Sequence, residues 1–157
     1  MDFKKLLECS KEYNTPLYVY DGDLIKKRYH DLKRYIPWKK LKIYYAMKAN
    51  YNVAILRLLK EEGAYIDAVS PGDIEMALAA GFAPERIMFP ANRITDEEMD
   101  YVKHTKVLFN IGSLSRLEKF GEKYPGSEIC IRFNPMVIAG ENEKVRTGGE
   151  SSKFGIF

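Results

Sequence analysis

The chain has 157 residues, 46% of them apolar and 30% charged, enough for one ordinary globular core. Its formal charge is +3, with lysines and arginines interleaved among acids, which excludes the clustered basic footprint of a nucleic-acid binder. No apolar run approaches the length of a bilayer span, and Met1-Asp2-Phe3-Lys4-Lys5 has no apolar core behind its charges, so neither a membrane segment nor a signal peptide is expected.

Residues 2–13 pattern as a short amphipathic helix with Phe3, Leu6 and Leu7 on one face, broken at Asn14-Thr15-Pro16. Leu17-Tyr18-Val19-Tyr20 is aromatic and β-branched, and is predicted as a strand. Asp21 then caps a helix whose Ile25, Tyr29, Leu32 and Ile36 make one apolar stripe, ended by Pro37. From there a rhythm begins. Strand-like runs start at Lys42, Ala64, Arg86, Val107 and Glu128, at intervals of 22, 22, 21 and 21 residues. Helical segments fill the gaps at 52–62, 71–80, 96–103 and 114–123. Alternation of this kind means βα units and a parallel sheet. Capping signals agree: Ser70-Pro71-Gly72-Asp73, Thr95-Asp96-Glu97-Glu98 and Ser113 open helices, while Gly63, Gly81 and Gly126 sit where helices stop.

Five such strands fit an open doubly wound sheet or part of a closed (β/α)₈ barrel. The first strand-to-helix turn has no glycine-rich dinucleotide loop, which argues for the barrel. A complete barrel takes ~250 residues. The expected fold is therefore α/β, part of a TIM-type (β/α)₈ barrel with about five βα units, the chain stopping short of the sixth strand. Residues 22–157 are expected to form that part of the barrel, preceded by a short helix and strand in residues 1–21.

Strand side chains alternate between faces. If Lys48 points inward, so do Ala46 and Tyr44, while Ile43, Tyr45 and Met47 face the helices. Tyr65, Asp67 and Val69 share the inner face of the second strand; Cys130, Arg132 and Asn134 share that of the fifth. Lys48, Asp67 and Arg132 thus collect at the carboxyl ends of strands, where barrels of this class place their chemistry. Each residue has a plainer reading. Lys48 can simply snorkel to water. Asp67 and Arg132 can form a structural ion pair. Capping alone explains Ser70 and Asp73, although a helix N-terminus can cap and bind an anion at once. Asn92 and Arg93 read as loop residues, and His30 and His104 as surface residues. The distant Cys9 and Cys130 suit a reducing cytoplasm, and no Cys/His spacing suggests a metal.

One stretch, Tyr45-Ala46-Met47-Lys48-Ala49-Asn50, resembles the lysine segment of the barrel-type, alanine-racemase-like pyridoxal-phosphate decarboxylases, and of their diaminopimelate decarboxylase branch in particular. The likeness begins at Thr15-Pro16-Leu17-Tyr18-Val19-Tyr20-Asp21 and runs through residues 63–75, Ala80-Gly81-Phe82, Pro84-Glu85-Arg86-Ile87 and Ile131-Arg132-Phe133-Asn134-Pro135. It ends in Thr147-Gly148-Gly149 and Ser152-Lys153-Phe154-Gly155-Ile156. The resemblance implies that Lys48 holds pyridoxal 5'-phosphate through its amine and is catalytic. It implies that Asp67, Ser70 and Arg132 lie at the cofactor, with Asp73 and Asn134 in supporting or substrate roles. It also implies decarboxylation of meso-2,6-diaminopimelate to L-lysine by a cytoplasmic homodimer, with no nucleic-acid or membrane partner. Only this resemblance assigns residues 1–21 to a second, β-rich domain. Sister activities on ornithine, arginine or carboxynorspermidine, and a non-catalytic pyridoxal-phosphate carrier, are the alternatives. Two local departures stand out: Ser70-Pro71-Gly72-Asp73 replaces a Ser-Gly-Gly-Glu type segment, and Glu141-Asn142-Glu143 stands where many relatives carry histidines. The family's glycine-rich phosphate loop, acidic partner of the pyridine nitrogen and catalytic cysteine have no counterpart among these residues, so this stretch alone is expected to be inactive.

Overall fold

The computed structural model describes residues 2–91, 93–138, 146–150 and 152–157. The chain divides into two compact units, Met1–Leu41 and Lys42–Phe157.

In the first unit, α1 (Phe3–Tyr13) is capped by Asp2, whose carboxylate accepts from the Lys4 amide at 3.2 Å. None of its residues is buried. Helix α2 (Gly22–Tyr35) starts at Asp21, which accepts from the Leu24 amide at 3.1 Å, and Lys27 and Arg28 pair with Asp31 on its surface. Tyr29 is buried, but Leu32 and Ile36, from the same apolar stripe, are about half exposed at 49% and 48%. The strand expected at residues 17–20 is absent: they have no ladder partner among the described residues, and Tyr18 is 92% exposed. Aromatic and β-branched composition suits an extended backbone, but a strand exists only once a second one pairs with it.

The second unit is a parallel sheet in the order β1 (Tyr44–Ala46), β2 (Tyr65–Asp67), β3 (Ile87–Ala91), β4 (Leu108–Ile111) and β5 (Ile129–Ile131). Its connections are α3 (Val53–Glu61), α4 (Pro71–Ala79), α5 (Asp96–Thr105) and α6 (Leu114–Lys123). Spatial order equals sequence order, the arrangement of consecutive βα units. Each helix begins where a side-chain oxygen meets an otherwise unbonded backbone amide: Asn52, Ser70, Thr95 and Ser113 all cap in this way. Gly63 and Gly81 follow α3 and α4 at φ of 92° and 91°, a conformation that favours glycine.

One face of every strand feeds the core. Met47, Ile66, Ala68, Ile87, Phe89, Phe109 and Ile111 pack against Leu56, Ile74, Met99, Val102 and Phe120 from the helices. Burying each of the larger side chains stabilises by ~1.5–3 kcal/mol. Outside the core, Asp96 of α5 pairs with Arg116 at 2.8 Å and with Lys119, tying α5 to α6. Ile131 and Phe133 continue the apolar face beyond Ile129 but stay exposed, at 40% and 68%.

The terminal residues depart from expectation. A sixth strand position is occupied: Phe133 and Ile156 form a parallel bridge, with Ile156 N donating to Arg132 O at 2.8 Å and Asn134 N to Ile156 O at 2.7 Å. Gly155 makes this approach possible. Its φ is 82°, and a Cβ there would stand 2.8 Å from Asn134 N and 2.9 Å from the Phe133 carbonyl carbon. The sequence pattern misses this pairing because only one bridge forms, too short to show a period.

Candidate active site

The inner face of the sheet changes character along its length. At the amino ends, Tyr44 and Tyr65 lie opposite each other with ring centroids 5.0 Å apart, and the Arg86 guanidinium covers the Tyr65 ring at 5.2 Å. Towards the carboxyl ends the same face carries Asp67 and Asn110, with Arg132 just past β5. The register runs Ala46 to Asp67 to Met88 to Leu108, and Pro90 to Asn110 to Cys130, so Asp67 and Asn110 share a face with Asn110 two residues further along it.

Lys48 departs from the expected strand end. The strand closes at Ala46, and residues Met47–Ala49 make a single 3₁₀ turn. Met47 is fully buried on the helix side, and Lys48 is exposed. Its charge nevertheless reaches the site: burial pushes the Asp67 carboxyl up, the positive charges of Lys48 and Arg132 pull it down, and Asp73 pushes it up again. Desolvation is the largest of these effects, so the net shift is upward. Lys48 and Arg132 thus lie near enough to Asp67 for their charges to act on its carboxyl.

No ion pair joins Asp67 to Arg132 among the described residues. Asp67 Oδ1 is buried without a hydrogen-bond partner. Arg132 instead lies over the Phe154 ring, its guanidinium carbon 4.6 Å from the centroid.

Ser70 and Asp73 form a complete reciprocal cap. Asp73 N donates to Ser70 Oγ at 3.2 Å, while Val69 N and Ser70 N donate to Asp73 Oδ2 at 2.9 and 3.1 Å. The short Asp73 side chain therefore satisfies two backbone donors at the start of α4, and its charge is felt at Asp67. Asn134 is a strut. It is only 7% exposed, and its amide donates to Gly149 O at 3.0 Å while accepting from Gly149 N at 3.1 Å and Met136 N at 3.0 Å. Arg93 is exposed, in a left-handed conformation at φ 57°; Asn92 and Glu141-Asn142-Glu143 lie outside the described residues. His30 and His104 are exposed, and Cys9 and Cys130 are free thiols.

Sequence reasoning overlooks Asn110. Its Oδ1 is buried without a partner, and Nδ2 meets only the soft sulfur of Met88, at 3.8 Å. The available signal was that Asn110 is the polar residue in Leu108-Phe109-Asn110-Ile111 and alternates onto the face of Asp67. Two orphaned buried oxygens on one face, beside a lysine and an arginine, suit a polar ligand that brings its own hydrogen-bond donors.

Residues 22–157 match the family model described as pyridoxal-dependent decarboxylase, pyridoxal binding domain. The diaminopimelate decarboxylase of Methanothermobacter thermautotrophicus is 44% identical over 153 residues, covering 96% of this chain and 36% of the relative. That of Escherichia coli is 36% identical over 158 residues, covering 98% and 36%. A crystal structure of diaminopimelate decarboxylase matches with a TM-score of 0.85 at 36% identity, over 98% of this chain and 36% of that one. The Helicobacter pylori enzyme, solved in complex with L-lysine, matches with a TM-score of 0.83 at 32% identity, over 98% and 40%. The chain spans a little over a third of the length of the curated relatives it matches. Its α/β fold is part of the pyridoxal-phosphate barrel of these proteins, present here as an unclosed sheet. With the family model covering the chain from the start of α2 onwards, and a lysine, an aspartate and an arginine gathered at the carboxyl ends of its parallel strands, this chain belongs to the pyridoxal-dependent decarboxylases.

Proposed function

We propose that the protein acts in the decarboxylation of meso-2,6-diaminopimelate to L-lysine, with pyridoxal 5'-phosphate held at Lys48. The observation that carries this reading is the buried, unpartnered Asp67 Oδ1 within the electrostatic reach of both Lys48 and Arg132. A barrel core has little use for such an arrangement, because an unsatisfied buried carboxylate is destabilising. A cofactor rich in polar atoms supplies the missing partners.

The residues divide the work. Lys48 Nζ lies on a short turn rather than in the ladder, so its side chain can swing without disturbing strand pairing. To join the cofactor's aldehyde it must first lose a proton. Burial raises the Asp67 carboxyl, which makes the unpartnered Oδ1 a better proton acceptor than an ordinary surface carboxylate. Arg132 offers a planar set of donors to anionic oxygens. The N-terminus of α4, fixed by Ser70 and Asp73, contributes the positive end of a helix dipole. When bound, the cofactor supplies the electron sink for the charge left by departing CO₂.

We assign residues 1–21 to a second, β-rich domain and the active enzyme to a cytoplasmic homodimer. The exposed apolar residues Ile131, Phe133 and Phe157 support burial of this surface in a larger assembly. The 157 residues alone are expected not to decarboxylate diaminopimelate. Borohydride trapping with pyridoxal phosphate tests the site in the full-length gene product. Wild type should gain a stable adduct whose proteolytic map ends at Lys48, and Lys48→Ala should gain none. An adduct of equal yield in Lys48→Ala, or a trapped enzyme that shows no turnover of diaminopimelate, overturns the reading.

A further inference from the structure

The Ser152-Lys153-Phe154-Gly155 segment carries no role in the chemistry above, yet it meets Arg132 directly. The Phe154 ring lies 4.6 Å from the guanidinium carbon. Backbone bonds on both sides of that arginine set the separation: Arg132 N donates to Ile111 O at 2.8 Å, Ile156 N donates to Arg132 O at 2.8 Å, and Asn134 N donates to Ile156 O at 2.7 Å. Gly155 lets the two backbones come close enough for these bonds, since any Cβ would collide with Phe133 and Asn134. Ser152 Oγ accepts from Phe154 N at 3.2 Å and steadies the turn that presents the ring. Lys153 lies over the same ring at 5.2 Å and is exposed.

We propose that Phe154 is a positioning residue for Arg132: its ring covers one face of the guanidinium and fixes the plane in which the five N–H groups can donate. A guanidinium binds oxygen ligands through its edges, so occupying a face leaves that binding capacity intact while removing a rotational freedom. Phenylalanine suits the task because it attracts the cation through its π-face and has no polar atom to compete for the donors. Without the ring, Arg132 can turn away from Asp67, and Asp67 loses one of the two cations that pull its carboxyl down, while Asp73 continues to push it up.

This inference rests on the pyridoxal-phosphate reading of the site, and the experiment separates the two. Pyridoxal phosphate is titrated by absorbance, across a pH series, into the full-length protein carrying Phe154→Leu, Phe154→Tyr, Arg132→Gln or the Phe154→Leu/Arg132→Gln pair. Melting temperatures of the cofactor-free proteins are recorded alongside. Phe154→Leu should weaken binding about three- to tenfold and move the acidic limb of the profile to higher pH. Phe154→Tyr should restore both to within about twofold of wild type. Added to Arg132→Gln, Phe154→Leu should change binding by less than about twofold, and the two melting shifts should not be additive. Wild-type affinity and pH limb in a folded Phe154→Leu, or the same loss with and without Arg132, overturns the proposal. If wild type binds no pyridoxal phosphate, the site reading fails, and the melting temperatures alone decide: additive shifts overturn the positioning role and non-additive shifts support it.

Discussion

Replacing Asp67 by asparagine should stabilise the cofactor-free protein at neutral pH while weakening pyridoxal-phosphate binding. Burial raises the Asp67 carboxyl above its unfolded value, and Lys48 and Arg132 only partly offset that rise. Between the unfolded and folded pKa values the native state holds more protons than the unfolded state. Stability therefore falls as pH rises through that window, and the penalty is fully present above the folded pKa. Below the unfolded carboxylate range, both states are protonated and the penalty vanishes. Asparagine has nearly the same shape and no charge, so it removes the penalty. A buried group without a partner is destabilising by ~1–3 kcal/mol, and because Asp67 is only half-buried the lower end applies, about 1 kcal/mol. Urea unfolding of cofactor-free wild type and Asp67→Asn from pH 4 to 8 measures it. The two curves should converge at the acid end and separate as pH rises, with asparagine the more stable. An asparagine variant that grows less stable than wild type with rising pH would show Asp67 to be half of a structural ion pair, and the functional reading of its orphaned oxygen would be lost.

Two further substitutions probe the scaffold beneath the site. Asn134→Ala removes three hydrogen bonds made by a buried amide and should lower unfolding free energy by about 2–3 kcal/mol, read from a denaturant midpoint at unchanged slope; a loss under ~0.5 kcal/mol would mean that the strut carries no weight. Gly155→Ala combines a positive-φ penalty of ~1–2 kcal/mol with a backbone collision, and should both destabilise the protein and weaken pyridoxal-phosphate binding by displacing Phe154 from Arg132. Unchanged binding in a folded Gly155→Ala protein would disconnect that glycine from the site.

The features legible in the sequence were those with local causes. Strand and helix positions fell within about two residues because caps such as Ser70/Asp73 and Thr95/Glu98 are written in neighbouring residues. The inner and outer faces followed from alternation, which correctly put Met47 in the core and Asp67 on the face of Arg132. What escaped prediction depended on partners far away in the chain. Residues 17–20 have the composition of a strand but no ladder, because pairing is decided elsewhere. Arg132 meets Phe154 across 22 positions, and no local pattern announces a contact at that distance. Lys48 sits on a turn rather than on the strand end that alternation assumes, since the ladder stops at Ala46 and 3₁₀ geometry begins at Met47. Asn110 was readable as a lone polar residue in an apolar run, yet only its unmet oxygen marks it as part of the site.

The bonds from Asn134 to Met136 and Gly149 have a consequence for how this protein can vary. They draw the two ends of an intervening stretch into a neck next to the sheet. Once a neck is closed, lengthening what lies beyond it is cheap: doubling the enclosed chain adds only ~0.6 kcal/mol of closure entropy. Changes of length beyond the neck therefore leave the strand ends beneath it nearly undisturbed, whereas Gly148 belongs to the neck itself, since a Cβ there would stand 2.7 Å from Val137 O.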